Sequence, residues 1–416
     1  MFVKRVLLLT LLLTLFFSLS AMSLDFVALE ARTALSGVFL LLDADEVIFS
    51  KQIGYKDHRQ QLVFDEHTLF CIGSITKPMV AMTLQNLVDE NQRVGEFLPQ
   101  LTTLAPLTIA SLVNHRTPLV RDLNDLGLVD SYEAISLSEL VSLIDRKGMG
   151  QPGGRYAYSN ANYQVLAKIL EQRTGQSFAQ AMESRLFLPL GMRESRALDE
   201  DIPEALAQGH SRNLQTLKPY RFSTLAGSGN VVVTVKDLVH FTQAVLNGYF
   251  GDPFTLWGWN RGTFFEKLYL EHTGHLASGH AACLRIYPRE KQAVIILLNT
   301  IEPDITELAD AMSASLFDWE LPRSNHASSG CIEFSLLEGR YRSEDGQELT
   351  VENRHGVLTI LGAGMSPIFL KHEKGASFSD PAHPLYTHRF VWETGEVRPR
   401  YFLEGLVQRK VFFPLP

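Results

Sequence analysis

Hydrophobic and polar positions alternate in different ways along the chain. In its first part, the apolar runs Val38–Leu42 and Val47–Phe49 flank the polar segment Asp43–Glu46. Two short apolar runs around a polar turn are typical of a β-hairpin. We therefore predict that these two runs pair as neighbouring strands.

A helical period follows this hairpin. Apolar residues recur at the spacing of one helix face from Val80 to Val88. Pro78 fits the first turn of a helix, where its missing N–H is not needed. The pattern predicts a helix that begins near Ser74, ends near Asn91 and buries its apolar face.

The middle of the chain changes from a helical to a strand-like pattern. Residues 108–171 are mainly helical, with breaks at 114–118 and 148–154. Residues 193–226 are polar and weakly periodic, which predicts a long surface loop. The later pattern predicts helices at 237–246 and 307–317 and strands at 281–287 and 293–298.

The last part of the chain has a different texture. Residues 322–332 are mostly small and polar, which is typical of a linker. Beyond them, the pattern predicts two β-hairpins. One pairs Leu349–Glu352 with Val357–Ile360, and the other pairs Arg389–Trp392 with Val397–Phe402. We predict a small antiparallel β-domain over residues 333–416.

The first residues indicate the compartment in which the protein acts, and the net charge bears on the class of its partner. Met1–Arg5 is basic and Val6–Ala21 is almost wholly apolar, which predicts a signal peptide over residues 1–23 and export to the periplasm or medium. Without cleavage the same segment would be a membrane anchor. The net charge of −8 argues against nucleic acid as a partner.

Cysteine and metal-binding patterns are sparse. The three cysteines, Cys71, Cys283 and Cys331, are too few and too scattered for a disulfide framework or a metal cluster. One pair could form after export, and the sequence leaves open which. No His-Glu-x-x-His or Gly-x-Ser-x-Gly motif is present, which disfavours a metallohydrolase and an α/β-hydrolase. We expect no cofactor and no metal.

Three short motifs carry candidate chemistry. Ser74 and Lys77 are three residues apart at the predicted helix start, so the lysine amine can reach the serine hydroxyl. Tyr158-Ser159-Asn160 follows a Gly-rich loop, and its phenol could pass a proton. His272-Thr273-Gly274 opens a predicted strand, along which a substrate could lie. Each motif alone occurs readily by chance.

Together, and in this order, the motifs resemble the serine β-lactamase and penicillin-recognising family, in its class C and D-alanyl-D-alanine carboxypeptidase branch. The segments 68–78, 112–119, 158–170, 189–192 and 227–238 also resemble that family. The resemblance implies an α+β fold over residues 24–321, with an antiparallel sheet flanked by helices and a helical subdomain. Residues 337–341 and the hairpins after them resemble the lipocalin-like β-domain appended to many of these hydrolases.

The resemblance also implies roles for individual residues. Ser74 would be the acylated nucleophile, Lys77 its general-base partner and Tyr158 the proton relay to the leaving group. Asn160 would hold the substrate amide, and His272 would face a substrate carboxylate, a place often held by lysine. Whether Lys77 or Tyr158 is the acting base stays open, because both have ordinary pKa values near 10.

The rest of the third motif would shape the oxyanion site. The resemblance implies an oxyanion hole made by the backbone N–H groups of Ser74 and His275, beside Thr273 and Gly274. The chain departs from the family at Arg116-Thr117-Pro118, which lacks the usual glycine. His280 likewise stands where an aromatic residue is usual.

These observations favour an exported serine hydrolase that acts through an acyl-enzyme. Its expected substrate is a small molecule or peptide of the D-Ala type, such as a peptidoglycan fragment. An esterase of the class C type and a non-catalytic penicillin-binding-like sensor are the alternatives. The sequence leaves open the choice among amide, β-lactam and ester substrates, and the oligomeric state.

Overall fold

The computed structural model describes most of the chain in two units. The described residues are 35–150, 153–211, 213–264, 266–301, 305–317, 336–354, 357–362, 368–374, 377–379, 387–391, 399–404 and 409–415. The chain divides between Ile305 and Thr306. The predicted signal peptide, 1–23, and the predicted linker, 322–332, lie outside the described residues.

A six-stranded antiparallel sheet is the centre of the first unit. Its order is β2-β1-β9-β8-β7-β6, so the first hairpin pairs with the last strand of the unit. Because β1, β8 and β9 are almost entirely buried apolar residues, both faces of this part of the sheet are covered. The strands are β1 Gly37–Asp43, β2 Glu46–Ile53, β6 Asn260–Phe264, β7 Lys267–Leu276, β8 His280–Tyr287 and β9 Gln292–Leu298.

Helices form the rest of the first unit. They are α1 Thr76–Gln85, α2 Val94–Phe97, α3 Ile109–Val113, α4 Leu137–Lys147, α5 Asn160–Thr174, α6 Phe178–Met182 and α7 Val235–Leu246. Helix α5 is central to the helical part, because it contacts α1, α2, α3, α4 and α6. Helix α7 covers β8 and β9. One apolar core joins the sheet to the helices.

Short elements connect the two parts. A small sheet of order β3-β5-β4 contains Phe70–Cys71, Arg196–Ala197 and Val231–Val233 as β3, β4 and β5. Single 3₁₀ turns occupy Gly73–Ile75, Asn124–Leu126, Phe222–Leu225 and Pro253–Thr255, and a wider π turn occupies Glu183–Phe187. The strand β3 and the turn after it deliver the chain to α1.

The second unit is a helix followed by a closed ring of eight antiparallel strands. Helix α8 is Ile305–Leu316. The strands are β10 Gly339–Ser343, β11 Glu348–Arg354, β12 Val357–Gly362, β13 Ile368–Lys374, β14 Ser377–Ser379, β15 Thr387–Val391, β16 Arg400–Glu404 and β17 Arg409–Pro414. The ring closes where β10 pairs with β17. Aromatic and aliphatic side chains, Tyr341, Phe390, Tyr401 and Phe412 among them, form its core.

The predicted fold class is confirmed, and most predicted elements form within a residue or two of their expected ends. The first hairpin is β1–β2, and the later hairpins are β11–β12 and β15–β16. The first helix is shorter than predicted: it ends at Gln85, six residues before Asn91. Leu87 and Val88 keep the apolar spacing because they pack on the core from the hydrogen-bonded turn that follows the helix.

No helix within the described ranges has the length and apolar character needed to cross a membrane.

Candidate active site

The candidate nucleophile stands on the turn before α1. Ser74 is the middle residue of the 3₁₀ turn Gly73–Ile75. Gly73 has φ +48°, and a Cβ there would lie 3.2 Å from the backbone N of His275. The turn therefore lies directly against β7, and a glycine at position 73 permits both the left-handed backbone and the close approach.

The hydroxyl of Ser74 has two titratable neighbours. Lys77 Nζ lies 2.8 Å from Ser74 Oγ, and the Tyr158 hydroxyl lies 2.7 Å from it. The lysine amine has a second partner, since Nζ also donates to the carbonyl of Ser228 at 2.7 Å. The structure thus brings together three residues that the sequence separates by up to 84 positions.

Burial decides which neighbour can accept the serine proton. Lys77 is fully buried, and this desolvation lowers its pKa well below the ordinary value of 10.5. Burial has the opposite effect on Tyr158 and raises its pKa to about 12. Desolvation therefore shifts the lysine toward its uncharged amine, which can take a proton, and the tyrosine toward its protonated phenol, which can give one.

His115 holds the segment that carries Tyr158. Its ring stacks on that of Tyr158 with centroids 4.5 Å apart, and its Nδ1 accepts the backbone N–H of Ser159 at 3.0 Å. Burial lowers the pKa of His115 to about 3, so its ring is neutral. The uncharged ring can therefore keep Nδ1 unprotonated as an acceptor.

Asn160 is paired with a carboxylate that the sequence motifs did not single out. Its Nδ2 donates to Oδ1 of Asp122 at 2.8 Å. Its Oδ1 is buried and has no hydrogen-bond partner within the described part of the chain. An acceptor in this state is costly unless a ligand or water donates to it. Asn160 therefore keeps one acceptor that the described part of the chain does not satisfy.

Asp122 adds a carboxyl group beside Asn160. Burial raises the pKa of its carboxyl, and the Asn160 hydrogen bond opposes that rise. The Arg121 side chain next to it is mostly exposed and places its guanidinium 5.1 Å from the centre of the Tyr158 ring. Neither residue belongs to the three motifs. A charged pair directly after the 112–119 segment is the only sequence signal that could have indicated them.

His272 is a neutral residue on β7. Burial lowers its pKa to about 3, and its Nδ1 lies 2.8 Å from the carbonyl of Thr273. Since a carbonyl only accepts, Nδ1 carries the proton and Nε2 keeps a lone pair. The role of His272 toward a substrate carboxylate stays a prediction, and it would act there without charge.

Gly274 and His275 bring β7 against the nucleophile. A Cβ at Gly274 would lie 2.0 Å from the carbonyl oxygen of Ile72 and 2.9 Å from the backbone N of Ser74. The backbone of β7 can approach this closely only because position 274 has no side chain. Thr273 lies between His272 and Gly274 on the same strand. The oxyanion hole of Ser74 and His275 remains a prediction that this proximity permits.

Metal ligands do not converge here. Within the described residues, no three His, Cys, Asp or Glu side chains come together in a way that could hold a metal ion.

The first prediction concerns the pH dependence of acylation. The rate constant for labelling Ser74 with an uncharged p-nitrophenyl ester should rise with pH and reach its plateau well below pH 10.5. The reason is that buried Lys77 loses its proton at a lower pH than an ordinary lysine does. It should fall again near pH 12, where Tyr158 ionises. Lys77→Ala should lower the plateau by about 10³-fold. A rate that climbs until pH 10.5 would show an ordinary lysine and contradict this arrangement.

The second prediction concerns Gly274. Gly274→Ala should push β7 away from Ser74, because the new Cβ collides with backbone atoms on both sides of Gly73. Acylation should slow by about 100-fold or more, as expected when an oxyanion donor is displaced. Gly127→Ala is the control: its surroundings are open but its φ is +65°, so stability should fall without loss of acylation. Normal labelling of Gly274→Ala would disprove the close contact.

Comparisons with known proteins place this geometry in a family. The chain matches the Beta-lactamase family over residues 26–315. It is 27% identical over 213 residues to a teichoic acid D-alanine hydrolase of Staphylococcus aureus, which covers 49% of this chain and 52% of that protein. The chain spans about half the length of the curated relatives it matches.

Solved structures show the same fold. The octameric penicillin-binding protein homologue from Pyrococcus abyssi has a TM-score of 0.63 at 17% identity, covering 93% of this chain and 98% of that one. The D-amino acid amidase from Ochrobactrum anthropi SV3 has a TM-score of 0.62 at 20% identity, covering 73% and 99%. These matches confirm the resemblance inferred from the motifs. The chain belongs to the Beta-lactamase family of serine hydrolases.

Proposed function

We propose that this protein is an exported serine hydrolase that removes D-alanyl or related D-aminoacyl groups from esters or amides. The observation that carries the proposal is the position of Ser74 Oγ, 2.8 Å from a buried lysine amine and 2.7 Å from a protonated phenol. This arrangement supplies a nucleophile, a base and an acid within hydrogen-bond reach of one another.

Acylation would proceed in three proton transfers. Ser74 Oγ attacks the acyl carbon while its proton passes to the Lys77 amine, which gives a tetrahedral oxyanion against β7. As the bond to the leaving group breaks, the leaving oxygen or nitrogen takes the Tyr158 proton. The proton on Lys77 can then return to Tyr158, since its Nζ lies 4.9 Å from the centre of that ring and both contact Ser74 Oγ. The product is an ester on Ser74 and a free alcohol or amine.

Deacylation would reverse the order with water as the nucleophile. Water gives one proton to the base while its oxygen attacks the Ser74 ester. The bond between the acyl carbon and Oγ then breaks, and Oγ takes a proton as it leaves. The same two groups serve both halves of the reaction. Hydrolysis therefore returns the enzyme to its starting protonation state.

The acyl side of the site is rich in acceptors. Asn160 Oδ1 has no partner among the described residues, Asp122 lies 2.8 Å from the same side chain, and His272 Nε2 keeps a lone pair. These groups suit an acyl group with a free ammonium, which donates three hydrogen bonds and would stabilise the Asp122 carboxylate. They suit a carboxylate in the same place poorly. The geometry therefore supports a D-aminoacyl group with an unblocked amine.

The names of the relatives agree with this substrate class. One is a teichoic acid D-alanine hydrolase and one is a D-amino acid amidase, so ester and amide cleavage next to a D-amino acid both occur among similar proteins. The predicted signal segment at residues 1–23 supports action outside the cytoplasm. A non-catalytic sensor is disfavoured because Ser74, Lys77 and Tyr158 are all present and in contact.

The third prediction tests the free amine. D-Alanine p-nitroanilide should be cleaved with a higher kcat/KM than its N-acetyl form. Asp122→Asn should lower the ratio of these two kcat/KM values by about tenfold, which corresponds to the loss of one charge-assisted hydrogen bond. Ser74→Ala should abolish cleavage of both. Asp125→Asn, on an exposed carboxylate three residues away, is the matched control.

Equal turnover of the free and acetylated forms would contradict the proposed acyl specificity. A panel that also contains nitrocefin, a D-Ala-D-Ala peptide and short-chain p-nitrophenyl esters separates the amide, β-lactam and ester alternatives.

A further inference from the structure

Two histidines outside the catalytic group meet within the first unit. The rings of His58 and His210 have centroids 4.8 Å apart and planes that cross at 79°. His210 has no exposed surface, whereas His58 is half-buried and lies next to the exposed residues 59–63. The pair is therefore an interior site with one side near solvent.

The two rings leave polar atoms unsatisfied. Both ring nitrogens of His210, and Nε2 of His58, are buried and have no hydrogen-bond partner among the residues that the structure describes. Buried polar atoms in this state are rare and call for a water or an ion. Three such nitrogens on two adjoining rings indicate a binding position between the rings.

Asn299 connects the two segments that carry these rings. Its Nδ2 donates to three backbone carbonyls at 3.0, 3.2 and 2.9 Å, those of Tyr55, Lys56 and Gln208. Its own backbone carbonyl accepts the N–H of His210 at 2.9 Å. Because carbonyls only accept, they fix the orientation of the Asn299 amide, and Oδ1 points away from them. That oxygen is also buried without a partner in the described ranges, and so the region contains a fourth unsatisfied atom.

The protonation state and the charge around the rings suit a cation. Burial lowers the pKa of both His58 and His210, which favours neutral rings that each keep one lone pair. The carboxylate of Asp57 lies near enough to oppose this shift on both rings. The carbonyls of Asn299 and Gln208 also act on His210, as the outer partner of a metal-bound histidine does.

A third histidine nearby is already satisfied. His280 Nε2 lies 3.0 Å from the carbonyl of Ala207, and its Nδ1 lies 3.3 Å from Ser278 Oγ. The unsatisfied nitrogens therefore belong to His58 and His210 alone among these three rings.

We propose that His58 and His210 together bind one divalent transition-metal ion of the zinc, nickel and copper group. Neutral imidazole is a preferred ligand of these ions, with the metal about 2.0–2.1 Å from the nitrogen. Two imidazoles that share an ion at this distance have centroids about 5 Å apart, which agrees with the 4.8 Å between these rings. Water, or Asn299 Oδ1, would complete the coordination. No sequence motif indicated this site, and it departs from the expectation of no metal, because its two ligands lie in separate loops.

An ion at this site would join two segments of the first unit. A Cβ at Gly279 would lie 2.3 Å from the backbone N of His210, so the His210 segment lies directly against the turn between β7 and β8. His58 belongs to a different turn, closed by the bridge between Asp57 and Leu62. A ligand that binds only the folded chain stabilises it, and the ion should therefore raise the unfolding temperature.

The first measurement is calorimetric titration of the chelator-treated full chain with Zn²⁺. The native protein should bind one Zn²⁺ at its strongest site. His58→Gln and His210→Gln should each weaken that binding by about tenfold or more, since losing a ligand costs no less than losing an outer partner of a ligand. Mg²⁺ should not compete, because it prefers oxygen ligands.

Controls separate this site from surface binding and from unfolding. His67→Gln is the matched control, because His67 is exposed and pairs with Glu194 instead. Zn²⁺ should raise Tm in the native protein and in His67→Gln, and it should do so less in His58→Gln. If His210→Gln does not fold, His58→Gln keeps the test valid, since that side chain is half-buried.

Cu²⁺ reports the number of imidazole ligands directly. The electron paramagnetic resonance spectrum of the native protein with one Cu²⁺ should show coupling to two imidazole nitrogens. His58→Gln should reduce this to one, and His67→Gln should leave it at two.

Four outcomes overturn the inference. They are no saturable Zn²⁺ binding by the native protein, as expected if water alone fills the site, native-like binding in His58→Gln, an equal loss in His67→Gln, and fewer than two imidazole nitrogens on Cu²⁺. None of these measurements uses a substrate. A failure of the proposed hydrolysis would therefore leave them unchanged, and the two results are distinguishable.

Discussion

The site depends on the burial of one amine. Lys77 has no exposed surface, and its Nζ is held between the Ser228 carbonyl and Ser74 Oγ. An ammonium in that position would lose its hydration for only two polar contacts, so the neutral amine is favoured. The same desolvation acts on Tyr158 in the opposite direction and keeps its phenol protonated. In the proposed acyl transfer, one physical constraint would therefore select both the base and the acid.

The scaffold maintains this constraint from three directions. The turn Gly73–Ile75 and helix α1 present Ser74 and Lys77 on one face, and the N–H of Val231 on β5 donates to Thr76 Oγ1 at the helix start. Helix α5 and His115 hold Tyr158 above them. The glycine at position 274 allows β7 to close the third side. These supports are close backbone contacts, buried hydrogen bonds and one ring stacking. Close backbone contacts require small residues, and the stacked, hydrogen-bonded ring is a neutral histidine.

The sequence predicted much of the fold and singled out Ser74, Lys77 and Tyr158, which the structure brings into contact, but it did not single out the partner of Asn160. The order of Ser74, Tyr158 and His272 on a helix start, a loop end and a strand indicated the family, because that chemistry requires these residue types on these elements. Asp122 belongs to no motif, and the sequence does not single out the backbone carbonyl of Ser228: both become significant only when the fold brings them to Asn160 and Lys77. The end of α1 was misplaced for a related reason, since Leu87 and Val88 pack on the core without being helical.

The protonation state of Lys77 is the centre of this account, and it can be measured directly. Heteronuclear NMR of the Lys77 side chain, assigned with Lys77→Ala, would follow its chemical shifts between pH 5 and pH 11. The account predicts that the amine titrates well below 10.5, and that Ser74→Ala leaves this pKa low because burial is the main cause. A lysine that remains charged until pH 10 would contradict it, and the base would then have to be sought at Tyr158.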